Sequence, residues 1–151
     1  MDAQDTMRLM FDTMDAYDRG DFDRLAEIYA EDARWINAHP EGPHCRDRGD
    51  IFAMFRQRMD SGIRVTFDEL RSTPTHVVLT ARIEGFVPVV SVFRFAGRRI
   101  VSIQDYSSMA AAESALQPVR RRWLGRFARF IADLPRRLAG QGPRAQQEGL
   151  G

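Results

Sequence analysis

The sequence predicts an α+β domain in which three N-terminal helices cover one face of a curved antiparallel or mixed sheet. Three observations carry this. Apolar residues recur at helical spacing as far as Gly62, and the period changes to two from Arg64 onward. A Gly20-Asp21 junction joins the first two helical segments with little more than a turn.

In the first helix Met7, Met10, Phe11, Met14 and Tyr17 form one apolar stripe from about Asp5 to Arg19. Gly20 stands where a left-handed C-terminal cap is wanted. Asp21 is the N-cap of a short second helix that turns Phe22, Leu25, Ile28 and Tyr29 inward. These stripes are core material. Arg34 to Asn37 reads as a short strand, and His39-Pro40-Glu41-Gly42-Pro43 is loop by composition. The third helix places Ile51, Phe52, Phe55 and Met59 on one side and stops at Gly62. Four strands follow, over residues 64–72, 76–87, 89–95 and 99–107, with Ala96-Gly97-Arg98 as a tight hairpin. Pro74 and Pro88 belong at strand ends or edges.

Beyond Ser107 the character shifts. Residues 108–116 are alanine-rich and read as a short helix. Pro118 opens another, in which Val119, Trp123, Phe127, Phe130, Ile131 and Leu134 fall three or four apart. Arg120, Arg121, Arg122, Arg126 and Arg129 mostly occupy the opposite side. The expected organisation is a pocket domain over 1–110, a basic amphipathic helical extension over 111–138, and a disordered tail over 139–151.

Length and composition, 151 residues at 44% apolar, suit one core-bearing domain with an appendage. The net charge of +1 conceals an asymmetry. Every one of the 22 basic residues is arginine; residues 117–151 stand at +6 and the remainder at −5. The single cysteine, Cys45, excludes an internal disulfide and fits a reducing compartment. The N-terminus lacks the basic start and apolar run of a signal peptide, and no apolar run reaches membrane-spanning length. The expected location is the cytoplasm. No glycine-rich phosphate loop is present, so no nucleotide cofactor is expected. His39, His44 and Cys45 match no usual zinc spacing and lack a fourth ligand, so no metal is expected either.

The order of elements, with particular residues, resembles the nuclear transport factor 2-like superfamily and especially its SnoaL-like branch. The resemblance rests on Gly20-Asp21-Phe22 with Tyr29-Ala30-Glu31-Asp32-Ala33, on Arg48-Gly49-Asp50-Ile51, and on Val92-Phe93-Arg94-Phe95, Gly97, Ile100-Val101 and Asp105-Tyr106. It covers roughly residues 5–110. It implies a cone-shaped sheet wrapped around a deep pocket for a small hydrophobic molecule, usually in a homodimer. Trp35, Tyr17, Phe55, Met14 and Phe86 are the expected ligand-binding residues. Members include isomerases, dehydratases, cyclases, epoxide hydrolases and binding modules without catalysis.

By the same resemblance, ketosteroid isomerases would place a tyrosine and two aspartates at Thr13, Asn37 and Ser91, and none is retained. The limonene-epoxide-hydrolase pattern finds Trp35-Ile36-Asn37, Arg82-Ile83-Glu84 and Asp105 at its positions. It implies that Asp105 activates water with Asn37 orienting it, that Glu84 protonates the leaving oxygen, and that Arg82 couples the two carboxyls. Here Trp35 replaces a tyrosine, and Glu84 replaces a shorter aspartate.

Read from the residues alone, each site keeps an alternative. Arg82 and Glu84 share one face of a strand, either in the pocket or as a solvated pair outside. Asp105 lies in an apolar row, either at the pocket or at a bend where the strand ends. Asn37 either serves the site or bonds the backbone of the turn before His39-Pro40. The Arg-rich C-terminal helix either packs on the domain or its dimer partner, which is the preferred account, or lies on an acidic membrane surface. Nucleic acid is not expected, since the arginines carry no reading-head motif. The leading expectation is acid–base chemistry on a small hydrophobic substrate, with epoxide hydrolysis as its concrete form. A non-catalytic binding or dimerisation module and a polyketide cyclase or dehydratase are the alternatives.

Overall fold

The computed structural model describes residues 1–42 and 44–116. The expected arginine-rich helix and tail over 117–151 lie outside the described residues. One compact unit spans Met1–Ala112.

Local chemistry sets the helix ends. The first helix, α1 (Ala3–Arg19), opens with a reciprocal capping box. Asp2 accepts from the Asp5 N–H at 2.8 Å, and the Asp5 carboxylate accepts from the Asp2 N–H at 3.1 Å. It closes at Gly20, whose φ of 66° places it in the left-handed region. Asp21 then accepts from the Arg24 N–H at 3.0 Å and starts α2 (Phe22–Ile28). On α1 the residues facing the core are Leu9, Met10, Thr13 and Ala16, with Met14 and Tyr17 packed beside them. Phe11, expected in the stripe, is exposed. It falls about one position out of phase with the buried row.

The chain turns extended at Tyr29, so β1 (Tyr29–Ile36) begins five residues before the expected Arg34. Tyr29 is buried as a strand residue and does not belong to α2. A register irregularity between Tyr29 and Arg34 sends Glu31 and Asp32 outward, and this bulge hid the strand's period from the sequence. The third helix, α3 (Arg48–Asp60), is capped by Asp47. It is tied to the end of α2 by the Arg48 guanidinium, which donates to the Ala26 carbonyl at 2.8 Å and the Tyr29 carbonyl at 3.2 Å.

Four more strands follow: β2 (Val65–Ser72), β3 (His76–Ile83), β4 (Val89–Ala96) and β5 (Arg99–Tyr106), then the short helix α4 (Met109–Ala115). The sheet order is β1-β5-β4-β3-β2. Pairing is antiparallel except between β1 and β5, which run parallel. The expected strand over 76–87 is shorter, because Gly85 turns the chain at φ 82° and leaves Glu84 and Phe86 in the β3–β4 loop. Gly97 makes the β4–β5 hairpin turn at φ 57°. The core lies between helices and sheet: Leu25, Ile28, Ile51 and Phe55 meet Leu79, Phe93, Ile100 and Ile103. This is the expected α+β architecture. Among the described residues no helix is long and apolar enough to cross a membrane.

A Cβ added at Gly20 meets nothing within 4 Å, so Gly20→Ala tests backbone strain alone. The left-handed conformation costs an L-residue about 1–2 kcal/mol. Chemical denaturation of Gly20→Ala is expected to show a loss of about that size, with Gly20→Asn losing less.

Candidate functional site

The concave face of the sheet and the helices over it enclose a pocket of about 60 Å³. One water needs roughly 10–15 Å³ on the same measure, so the space suits the reacting end of a small molecule. Its walls are almost wholly apolar. α1 contributes Met10, Met14 and Tyr17, α3 contributes Phe55, and the sheet contributes Leu79, Ala81 and Phe93 among others. The aromatic rings meet edge to face: Tyr17 with Phe55 at 4.8 Å between centroids, and Trp35 with Phe55 at 5.9 Å. Such edge contacts hold aromatic walls in defined orientations.

One carboxyl opens into this surface. Asp105, on β5, is 5% exposed. Its Oδ2 accepts from the Trp35 indole N–H at 2.8 Å, and its Oδ1 accepts from the Ser91 hydroxyl at 2.6 Å. Strand pairing makes the trio. Ser91 and Asp105 are directly opposed across β4 and β5, while the parallel pairing of Trp35 with Ile103 sets the indole near the end of β5. Trp35 is held on its other side as well. Its backbone N–H and carbonyl both bond Cys45, each at 2.9 Å, so the returning loop acts as a clamp.

Burial pushes the Asp105 carboxyl above its ordinary value of 3.8, against the opposing pull of Ser91, Trp35 and the charge of Arg58. Removing either donor strands a buried oxygen, which costs about 1–3 kcal/mol. Among the described residues every buried side-chain polar atom has a partner. Thr13, also in the pocket, spends its hydroxyl on the Leu9 carbonyl at 2.7 Å.

The sequence-predicted residues separate into two groups. Asp105, Trp35, Tyr17, Phe55 and Met14 line the pocket. Arg82, Glu84, Asn37 and Phe86 do not. Arg82 lies between Ala81 and Ile83, which both line the pocket, so strand alternation turns it to the outer face. There its Nε pairs with Asp68 in the open. Glu84 sits in the β3–β4 turn and is exposed, and Phe86 follows at 68% exposure. Asn37 accepts from the His39 N–H at 2.8 Å and organises the loop, while His44 Nδ1 accepts from the Asn37 N–H at 3.1 Å. Gly42 approaches the Asn37 side chain too closely for any Cβ, which fits the loop around it. The arginine–glutamate–aspartate set needed for epoxide opening is therefore not assembled.

Several pocket residues escaped the sequence reading of the site, among them Ser91 and Arg58. Ser91 carries a signal, since it stands at an aspartate position of the ketosteroid-isomerase pattern. Arg58 carries none. It lines the pocket from the last turn of α3, and its guanidinium lies 5.4 Å from the centre of the Trp35 ring.

Residues 11–103 match the family model of the SnoaL-like domain. The chain belongs to the SnoaL-like family. Solved structures of the same fold include Bal32a from a soil-derived mobile gene cassette, 20% identical, covering 69% of this chain and 89% of that one, with a TM-score of 0.59. An NTF2-like protein from Burkholderia xenovorans LB400 is 21% identical over 70% of this chain and 91% of its own, at a TM-score of 0.57. A proposed SnoaL-like polyketide cyclase from Jannaschia sp. CCS1 is 15% identical over 75% and 92%, also at 0.57. At these identities the likeness establishes the NTF2-like fold. No curated protein matches the sequence. Among the described residues, no group of three or more His, Cys, Asp or Glu is placed to hold a metal ion.

The raised carboxyl links stability to pH. A carboxyl that holds its proton more tightly when folded stabilises the fold fully below 3.8, and that contribution is lost as pH rises through the folded value. Asp105→Asn cannot ionise. Its melting temperature relative to the parent should therefore climb as pH is raised from 3.5 towards neutrality, on the order of a degree or more. A pH-independent difference would show that Asp105 titrates normally.

Proposed function

We propose that the pocket binds a small, mainly apolar molecule and that Asp105 exchanges a proton with it beside a carbonyl group, as a cyclase or isomerase requires. The single observation that carries this reading is a carboxyl buried in an apolar wall with two neutral donors and, among the described residues, no ion-pair partner. Such a group sits closer to the operating pH than a solvated aspartate, which favours general acid–base work.

The two donors have different parts. An indole N–H only donates, so Trp35 fixes Oδ2 as an acceptor and sets the plane of the carboxyl. A hydroxyl both donates and accepts, so Ser91 can donate to the carboxylate and accept from the acid. Oδ1 is thus the oxygen where a proton is taken up and returned without leaving either neighbour unpaired. Asp105 as carboxylate removes a proton from carbon next to the carbonyl; as acid it returns the proton to carbon or oxygen. Two of the structural neighbours are described as proposed polyketide cyclases, from Sinorhizobium meliloti and Jannaschia, which supports chemistry of this type. The narrow cavity favours a substrate smaller than a multi-ring polyketide.

Hydrogen–deuterium exchange at the α-carbon of small ketones and β-keto esters, followed by proton NMR, tests the reading. The parent protein should accelerate exchange for at least one of them, and Asp105→Asn should lower that acceleration by about 10²–10⁴-fold. Equal rates in both would remove Asp105 from the chemistry. No acceleration by the parent would leave a non-catalytic binding pocket.

A further inference from the structure

The pocket holds a second charged group, and among the described residues it has no ion-pair partner. Arg58 is half-buried, projects from the last turn of α3 and lines the pocket together with Asp105. Among the described residues no carboxylate pairs with its guanidinium and no oxygen accepts from it; the guanidinium lies over the Trp35 ring, 5.4 Å from its centre, and its charge acts on Asp105 without a direct bond. Other arginines among the described residues are committed. Arg48 bonds two carbonyls, Arg24 pairs with Asp12 and Glu27, and Arg82 pairs with Asp68.

A guanidinium presents five donors in a planar fork that matches a carboxylate in two parallel bonds. A guanidinium over an indole face is attracted to it and can still donate from its N–H groups. Partial burial strengthens what an anion would gain at those groups, because the cation is less well solvated there. Asp105 does not fill the role, since the two form no ion pair although both line one cavity.

We propose that Arg58 is a specificity-determining residue that binds the carboxylate of the ligand, so that the pocket takes small apolar carboxylic acids. This rests on the reading of the pocket as a ligand site and narrows its substrate class. The apolar body lies against Tyr17, Phe55 and Phe93, the carboxylate meets Arg58 over Trp35, and the carbon beside a carbonyl reaches Asp105.

Calorimetric titration near neutral pH tests this with two matched pairs, isovalerate against isovaleramide and benzoate against benzamide. The full chain should bind at least one carboxylate ten-fold or more tighter than its amide. Arg58→Met, which keeps the stem over the indole and removes the charge, should lose ten-fold or more in carboxylate affinity with the amide little changed. Arg58→Lys should retain part of the preference, which guards against a Met variant that folds poorly. Carboxylate binding that is absent, no tighter than the amide's, or insensitive to Arg58→Met overturns the proposal. Asp105→Asn separates the two claims. If it keeps carboxylate affinity while deuterium exchange is unaffected, the anion site stands and the proton-transfer reading fails. If exchange depends on Asp105 while the carboxylate preference is absent, the reverse holds.

Discussion

The contact of the Trp35 indole and the Ser91 hydroxyl with the two oxygens of Asp105 is the constraint on which the site is built. A carboxyl is costly to bury, and the cost is met here by neutral donors from two other strands. Those donors reach it only because β1 runs parallel to β5 while β4 runs antiparallel on its other side. The sheet order therefore fixes the site. Shifting β1 by one residue would turn Trp35 away from the pocket and leave Oδ2 unpaired.

Helices complete what the sheet begins. α1 and α3 supply walls over Asp105, and Asp2, Gly20 and Asp47 cap their ends. The loop after β1 closes the edge, with Cys45 bonded to the backbone of Trp35 and Asn37 bracing the turn. Cys45 is buried, and burial raises its thiol above the ordinary range, which suits a packing role over a reactive one. The result is a mainly apolar surface with one neutralisable acid in it and one arginine that has no ion-pair partner among the described residues.

Much of the fold was legible because caps and turns act locally. Gly20 and Asp21 punctuate the chain through conformational freedom and a side-chain hydrogen bond, both readable from residue type. The hairpin at Gly97 is legible for the same reason. Tyr29 was not, because the bulge after it breaks the alternation that would have marked a strand. Glu84 reads as strand in the sequence although Gly85 ends it, since an apolar run of Phe86 and Val87 continues past the turn.

The site was legible in part, and the limit is physical. Alternation says that Arg82 and Ala81 face opposite ways, yet it does not say which face is inside. Asp105 stood out because an acid in an apolar row must be compensated. Its compensators lie 14 and 70 residues away, so no local pattern shows them. Arg58 sits among charged and polar neighbours on α3, where a solvated arginine looks the same as one turned over a tryptophan. The most direct measurement is a carbon-13 titration of the Asp105 side-chain carboxyl by NMR. A midpoint clearly above 3.8, moving further up in Trp35→Phe, is what burial against neutral donors requires. A midpoint at or below 3.8 would mean a solvated or ion-paired carboxylate and would contradict the account.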